Sequence, residues 1–137
     1  IDKKGWNRVV EYGFVGRKEI HDILRTSKIG MVTLLPIVNY LDSLPIKMFE
    51  YMASGMPFVA SNFTYWQEIV DKHECGVCVD PTDPKKVAAA INYLLADDEM
   101  SEKMGRKGRA AVLKHYNWEV EAQSLVKLYQ ALTLKFL

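Results

Sequence analysis

Apolar residues along the chain alternate between short continuous runs and helical spacing. Continuous runs at residues 29–35, 57–61 and 76–79 predict strands of a parallel sheet, because a strand that is covered on both faces shows no polar alternation. A further strand is predicted at residues 8–15, where β-branched and aromatic residues precede Gly16. The longest run, at residues 29–35, is expected to form a central strand.

Helical spacing of apolar residues appears between and after these runs. It predicts short helices between Pro45 and Gly55 and at residues 64–70, and longer ones at residues 18–27, 84–95, 98–115 and 118–137. Strands that alternate with helices indicate an α/β fold, and the short loops favour a Rossmann-like, doubly wound parallel sheet with flanking helices. Since no linker interrupts the pattern, residues 1–137 are expected to form a single domain.

Composition and charge limit the classes of protein to which the chain can belong. The chain has 137 residues, 49% of them hydrophobic and 26% charged, which suffices for one soluble core. A formal net charge of +1 predicts no nucleic-acid partner. No apolar run of membrane-spanning length and no signal-peptide core is seen, so a cytoplasmic location is expected. The first residues lack Met and are interpreted as the end of an earlier helix, which suggests a piece of a longer protein.

The helix between Pro45 and Gly55 carries the candidate chemistry. It is mostly apolar, yet Lys47, Glu50 and Ser54 fall on one face. In open α/β sheets, ligands bind beyond the carboxyl ends of strands, and this helix follows the loop after such a strand. The polar face is therefore either a solvated Lys47–Glu50 ion pair or the wall of an anion site at the helix N-terminus.

Two other patterns resemble functional sites but have simpler explanations. Cys75 and Cys78 form C-x-x-C, but the pair lies at the start of a predicted strand and no second ligand pair accompanies it, so both thiols are expected to be structural. Basic residues on helix 98–115 are expected to form a solvated face. The fingerprints of dinucleotide-binding folds, P-loops, hydrolase elbows and Asp-x-Asp metal clamps do not occur.

Several motifs together resemble a known family. Asp42 and Glu50 keep an acid-x7-acid spacing, and residues 47–61 read K-x-x-E-Y-M-A-x-G-x-P-x-V-A-S. Shorter motifs follow in the same order over the rest of the chain, at residues 12–16, 27–36, 76–81 and 116–118. In all of these the chain resembles the GT4 (glycosyl transferases group 1) family of GT-B fold glycosyltransferases. The resemblance implies the C-terminal, donor-binding half of a two-domain enzyme of polysaccharide biosynthesis.

The family likeness also implies roles for two carboxylates. Glu50 would accept hydrogen bonds from the ribose hydroxyls, and Asp42 from the hydroxyls of the donor sugar. Asp42 is one methylene shorter than the family's usual Glu. Pro45 stands where the family often has Gly, which removes one N–H donor from the phosphate site. No catalytic group is assigned, because the resemblance puts the remaining groups on the other half of the enzyme.

The diphosphate and the base complete the implied site. N–H groups near Ser43 and Leu44 would bind the diphosphate together with Lys47, and Ser43 is also expected to cap the helix. Gly16 and Arg17 would lie near the base. The resemblance implies no metal and no cofactor, since a nucleoside-diphosphate sugar is the donor substrate. It implies transfer with retention to a sugar, lipid-linked or glycan acceptor bound by the missing N-terminal domain, and an isolated fragment without activity.

Two alternatives stay open at this stage. A GT-B nucleotide-sugar epimerase domain would use carboxylates in the same cleft as acid and base. A noncatalytic αβα interaction module would carry Asp42, Lys47 and Glu50 only as surface charges. The sequence also leaves open a peripheral contact of the full-length protein with the inner face of the membrane. It identifies neither the base, the sugar, the acceptor nor the linkage.

Overall fold

The computed structural model describes residues 6–133. The helices are α1 (Arg17–Thr26), α2 (Val38–Leu41), α3 (Ile46–Ala53), α4 (Thr64–His73), α5 (Pro84–Ala96), α6 (Asp98–His115) and α7 (Trp118–Thr133). The strands are β1 (Gly30–Val32), β2 (Phe58–Ser61) and β3 (Gly76–Val79). The helix end predicted at the start of the chain and the last residues of the predicted C-terminal helix lie outside the described residues. None of the described helices combines the length and apolar character needed to cross a membrane.

The three strands form a parallel sheet in the order β1-β2-β3. Phe58 of β2 lies opposite Gly30 on one side and Gly76 on the other. β2, not β1, is therefore the central strand of the described sheet, and the prediction for residues 29–35 is wrong in this respect. Met31 of β1 is 36% exposed. A continuous apolar run indicates a strand, but it does not reveal how many neighbours that strand will have.

The strand predicted at residues 8–15 is a second correction, since no strand of the described chain includes them. Trp6–Arg8 forms a single 3₁₀ turn, and the following residues are irregular and largely exposed. Val10 is 71% exposed, and the Phe14 side chain is fully exposed. β-branched residues favour an extended backbone, but a strand also requires a hydrogen-bonded neighbour and a surface to bury, and this segment has neither among residues 6–133.

Helices cover both faces of the sheet. Phe58 packs into a core with Met52 of α3 and Trp66 of α4, whereas Val59 packs on the opposite face with Leu94 of α5. Successive residues of a strand point to opposite faces, so a fully buried β2 requires cover on both. The predicted α/β, doubly wound architecture is confirmed.

Side-chain caps set the starts of α5 and α7. Asp83 accepts a hydrogen bond from the Lys85 N–H at 2.9 Å, and Pro84 occupies the first helical position. Asn117 Oδ1 likewise accepts from the Val120 N–H at 3.0 Å. Both helices begin at the predicted residues, 84 and 118. A cap is a local signal, because it depends on side chains that are close in sequence.

Helix α6 lies against the end of α3. Gly55 follows the end of α3 with a positive φ of 69°, a conformation that glycine adopts readily after a helix. A Cβ placed on Gly105 of α6 would come within 1.9 Å of the Gly55 carbonyl oxygen, so only glycine allows this approach. Arg109 Nη1 donates to the Ala53 carbonyl at 2.7 Å. One of the basic residues expected to be merely solvated thus holds the C-terminal end of α3.

Candidate functional site

A cleft opens at the carboxyl end of β1. It has a volume of about 460 Å³ and is lined by residues 31–34 and by Pro45, Ile46 and Lys47. The loop 33–45 leaves β1 here and leads into α3. Open α/β sheets bind ligands at this edge, and the predicted loop and helix are brought together at it.

The N-terminus of α3 carries no side-chain cap. Pro45 occupies the cap position, and the expected cap by Ser43 is wrong, because the Ser43 hydroxyl donates to the Tyr40 carbonyl at 3.0 Å instead. Ile46 is 76% exposed at the first helical position. The first N–H groups of α3 and the positive end of its dipole are therefore open to an anion at the cleft.

The two faces of α3 differ as the sequence predicts. Met48 and Met52 are fully buried, whereas Lys47, Glu50 and Ser54 are exposed. Among the ion pairs of residues 6–133, none joins Lys47 to Glu50. The structure thus does not contain the solvated pair that was one explanation of this face, and both charged side chains are free to contact a ligand.

Asp42 lies at the C-terminal end of α2 and is exposed. In the described part of the chain its carboxylate makes no hydrogen bond or ion pair. Helix α2 was not predicted, since its four residues are too few to establish a helical period. Helix α2 ends at Leu41, so Asp42 lies in the short segment between α2 and the start of α3.

The two predicted backbone donors differ in their environment. The Ser43 N–H donates to the Tyr40 carbonyl at 3.3 Å, so it is already engaged. The Leu44 N–H has no acceptor among the described residues, and Leu44 is 52% exposed. Of this pair, Leu44 therefore offers the free donor.

Gly16 and Arg17 belong to a different element. Gly16 precedes the first residue of α1, and Arg17 is exposed. Nowhere in residues 6–133 does a hydrogen bond or ion pair join either of them to the loop 33–45. Their assignment to the base stays a prediction.

Tyr51 attaches α3 to β1. Its hydroxyl donates to the Met31 carbonyl at 3.2 Å, and its ring lies where a Cβ on Gly30 would approach to 2.4 Å. Burial raises the pKa of Tyr51, an effect that the hydrogen bond to Met31 opposes. The tyrosine next to Glu50 thus fixes the rotation of α3 relative to the sheet.

Two buried side chains bind the loop itself, and sequence reasoning missed both contacts. Ser61 Oγ donates to the Leu34 carbonyl at 2.7 Å, and Trp66 Nε1 donates to the Ser43 carbonyl. Ser61 and Trp66 are fully buried. The serine that ends the 47–61 motif was a usable signal, since a buried hydroxyl at the end of a strand needs a partner. Nothing in the sequence pointed to the loop as the partner of Trp66, which also lies within the core.

The cysteines behave as structural residues. Cys75 is 1% exposed within the core, and both thiols are free. Burial raises the pKa of Cys75 to about 11 and that of Cys78 to about 12, which suppresses the reactive thiolate. His73 Nε2 is paired with the Tyr116 hydroxyl at 3.0 Å. In the part of the chain that the structure describes, no three His, Cys, Asp or Glu residues are arranged to hold a metal ion.

Comparison with known proteins matches most of the chain to one family. Residues 2–111 match the model of the family described as Glycosyl transferases group 1. The match covers β1, α3 and their connecting loop, together with both strands that follow. It therefore includes every residue assigned to the candidate site.

Individual relatives and one solved structure also match most of the chain. A D-inositol 3-phosphate glycosyltransferase of Corynebacterium urealyticum is 33% identical over 74% of the chain, and a glycogen synthase of Mycobacterium tuberculosis is 26% identical over 96%. The solved structure of a sucrose-phosphate synthase from Thermosynechococcus elongatus superposes with a TM-score of 0.82 at 28% identity over 94% of the chain. The chain spans 23%, 31% and 31% of these three proteins, respectively.

Proposed function

The chain belongs to the glycosyl transferases group 1 family, and from this premise we propose that it is the nucleotide-sugar-binding, C-terminal half of a GT-B glycosyltransferase. The observation that carries the proposal is the exposed face of α3, where Lys47 and Glu50 stand unpaired on a helix that is otherwise anchored in the core. A surface ion pair would have explained these charges without a ligand. Family membership favours this function over a noncatalytic interaction module.

The diphosphate of the donor is assigned to the N-terminal end of α3. Pro45 contributes no N–H, so the backbone donors are those of Leu44, Ile46 and Lys47. The Lys47 ammonium adds a full positive charge beside them. Helix N-termini bind phosphates through such N–H groups and the helix dipole, and this proposal requires no metal ion or other cofactor.

The two carboxylates are assigned to hydroxyl groups of the donor. Glu50 lies one turn beyond Lys47 on the same face, which suits the ribose of a nucleotide whose phosphates lie at the helix start. Asp42 lies before α3, on the far side of the phosphate site from Glu50 along the chain, which suits the transferred sugar. Carboxylates accept hydrogen bonds from two hydroxyls at once, so each can orient one sugar ring.

The acceptor and the remaining catalytic groups are assigned to a further domain. Helix α7 exposes seven large apolar side chains: Trp118, Val120, Leu125, Val126, Leu128, Tyr129 and Leu132. Apolar surface of this extent is a mark of an interface. We infer a cytoplasmic two-domain enzyme that transfers the sugar with retention to a sugar, lipid-linked or glycan acceptor, and we expect no turnover by this chain alone. Any membrane contact would then involve the complete protein.

Replacing Glu50 with Gln tests the proposal. The variant keeps the shape of the side chain but loses the charge, and charge-assisted hydrogen bonds contribute roughly 1.5–3 kcal/mol, so affinity should fall about tenfold to a hundredfold. Calorimetric titration with UDP, GDP and ADP identifies the diphosphate that binds the wild-type chain and then measures the variant. Glu68→Gln, an exposed glutamate of α4, is the matched control.

The 2′,3′-dideoxyribose analogue of that diphosphate makes the test specific to the ribose. The defect of Glu50→Gln should shrink with the analogue, because the hydroxyls that Glu50 contacts are missing. Equal loss of affinity for both ligands would contradict the ribose contact. Absence of binding by the folded wild-type chain to all three diphosphates would overturn the proposed function.

A further inference from the structure

We propose that Trp66, a buried residue of α4, is a positioning residue for the donor diphosphate, because it fixes the peptide group that carries the Leu44 N–H. The inference rests on the proposed function and adds a residue outside the loop and helix that carry the assigned contacts. Trp66 lies 23 positions after Ser43, whose carbonyl it binds. It would act without touching the ligand.

The indole of Trp66 is held firmly. It is fully buried and packs against Phe63, with ring centroids 4.7 Å apart at an angle of 56°. An indole has a single donor and no acceptor, and its burial is favourable only if that donor finds a partner. Here the partner is the Ser43 carbonyl. Because the buried indole needs this hydrogen bond, Trp66 fixes the orientation of the Ser43–Leu44 peptide.

Peptide geometry transmits this constraint to the site. The Ser43 carbonyl and the Leu44 N–H belong to one planar trans unit, in which C=O and N–H point in opposite directions. Since Trp66 holds the carbonyl toward the core, the Leu44 N–H is directed away from it. That N–H has no acceptor among the described residues, which is the state a phosphate-binding donor requires.

A second buried contact holds the other end of the same loop. Ser61, the last residue of β2, donates to the Leu34 carbonyl just after β1. The segment between residues 34 and 43 is thus tied to β2 at its start and to α4 at its end. Asp42 directly precedes the second attachment point. Loss of Ser61 should therefore disturb the site less than loss of Trp66, because its attachment point is farther from Leu44 in sequence.

Trp66→Phe removes the donor while it keeps an aromatic ring in the core. Calorimetric titration with UDP, GDP and ADP should show about tenfold weaker binding of the diphosphate that the wild type prefers. Trp118→Phe is the first control, because Trp118 is 69% exposed on α7 and no hydrogen bond or ring contact joins it to the loop 33–45 in the described chain. It should bind within twofold of the wild type.

Ser61→Ala and Ser101→Ala form a matched pair that separates positioning from general destabilisation. Ser101 is also a buried serine whose hydroxyl donates to a backbone carbonyl, that of Leu94, but it joins α6 to α5. Both variants should lose similar stability in thermal unfolding. We expect about threefold weaker diphosphate binding for Ser61→Ala only.

Three results would count against these assignments. Binding by Trp66→Phe within twofold of the wild type would overturn the inference and leave Trp66 a core residue. Equal weakening by Ser101→Ala would also overturn it, because the effect would then follow stability. Failure of the folded wild type to bind any of the three diphosphates is a different outcome, which overturns the proposed function and the inference together.

Discussion

Helices α6 and α7 follow each other along the chain and have similar lengths, 18 and 16 residues, but they are buried to very different degrees. The more polar helix is the buried one. α6 buries four small residues: Ser101, Gly105, Gly108 and Ala111. α7 is the more apolar helix and buries none of its residues in the described chain.

The difference shows that shape, more than hydrophobicity, decides which helix packs on this core. Two glycines let the backbone of α6 approach α3 and its C-terminal turn, where larger residues would collide. Glycine in a helix interior costs about 1 kcal/mol relative to alanine, so the close contact has to offset that cost twice. The larger apolar side chains of α7 have no such surface within residues 6–133.

The largest effect is expected at the closest contact of α6. Gly105→Ala places a methyl group 1.9 Å from the Gly55 carbonyl oxygen, and both partners are backbone. The variant should lose about 3 kcal/mol or more of unfolding free energy. Gly108→Ala is the matched control. Its nearest neighbour would be the Cys75 Cβ at 3.1 Å, a much milder contact than the 1.9 Å at Gly105. Urea unfolding that finds the two variants equally stable would contradict the importance of the Gly105 approach.

A smaller loss is expected from the side chain that ties α6 to α3. Arg109→Met removes the hydrogen bond to the Ala53 carbonyl and should cost about 1 kcal/mol. Arg106→Met is its control, since within residues 6–133 Arg106 pairs only with Glu102, one turn away on an exposed surface, for roughly 0.3–0.5 kcal/mol. Denaturant titration of both variants measures the difference. If Arg106→Met costs as much, the hydrogen bond from Arg109 to the end of α3 does not contribute specifically to stability.

His73, the last residue of α4, should give the stability of the chain a weak pH dependence. Burial lowers the pKa of His73 below its usual value of 6.5, and the charges of Lys72 and His115 lower it further. As pH falls below 6.5, the unfolded chain binds the proton first, so stability should decrease toward pH 5. His73→Gln should flatten this dependence of the melting temperature between pH 7.5 and 5. An unchanged slope would show that His73 does not contribute to it.

The smallest effect is expected on α7. Leu128 is 56% exposed, so Leu128→Ser should change the unfolding free energy of this chain by no more than about 0.5 kcal/mol. The same change should matter more in a longer protein that covers α7. A loss near 2 kcal/mol in this chain would mean that α7 is packed here, and that the contrast with α6 is smaller than the structure indicates.

Local signals in the sequence predicted much of the fold. The bounds of α6 and β3 agree with their predicted ranges, and those of α5 differ by one residue at its end. Residue pairs close in sequence set these bounds, such as Asp83 with Pro84 at the start of α5. The strand prediction for residues 8–15 was wrong because strand formation depends on a distant partner, which the residues of the segment do not encode.

The candidate site was likewise predictable only in part. The motif and spacing identified Lys47, Glu50 and Asp42 as candidates, and the structure leaves all three exposed and unpaired within the described chain. Which backbone N–H is free could not be predicted. Ser43 and Leu44 are neighbours, yet only the first N–H is engaged, because the α2 turn folds back on it.

Sequence by itself determined the alternation of strands and helices, the polar face of α3 and the family, because each depends on residue types at short spacing. Tertiary structure decided the order of the strands, the burial of α6 and the orientation of the Ser43–Leu44 peptide. Each of these depends on contacts between residues far apart in the chain, such as Trp66 with Ser43 and Gly105 with Gly55. Such contacts are selected by the complementary shapes and hydrogen-bonding needs of whole elements, which become defined only when the elements pack together.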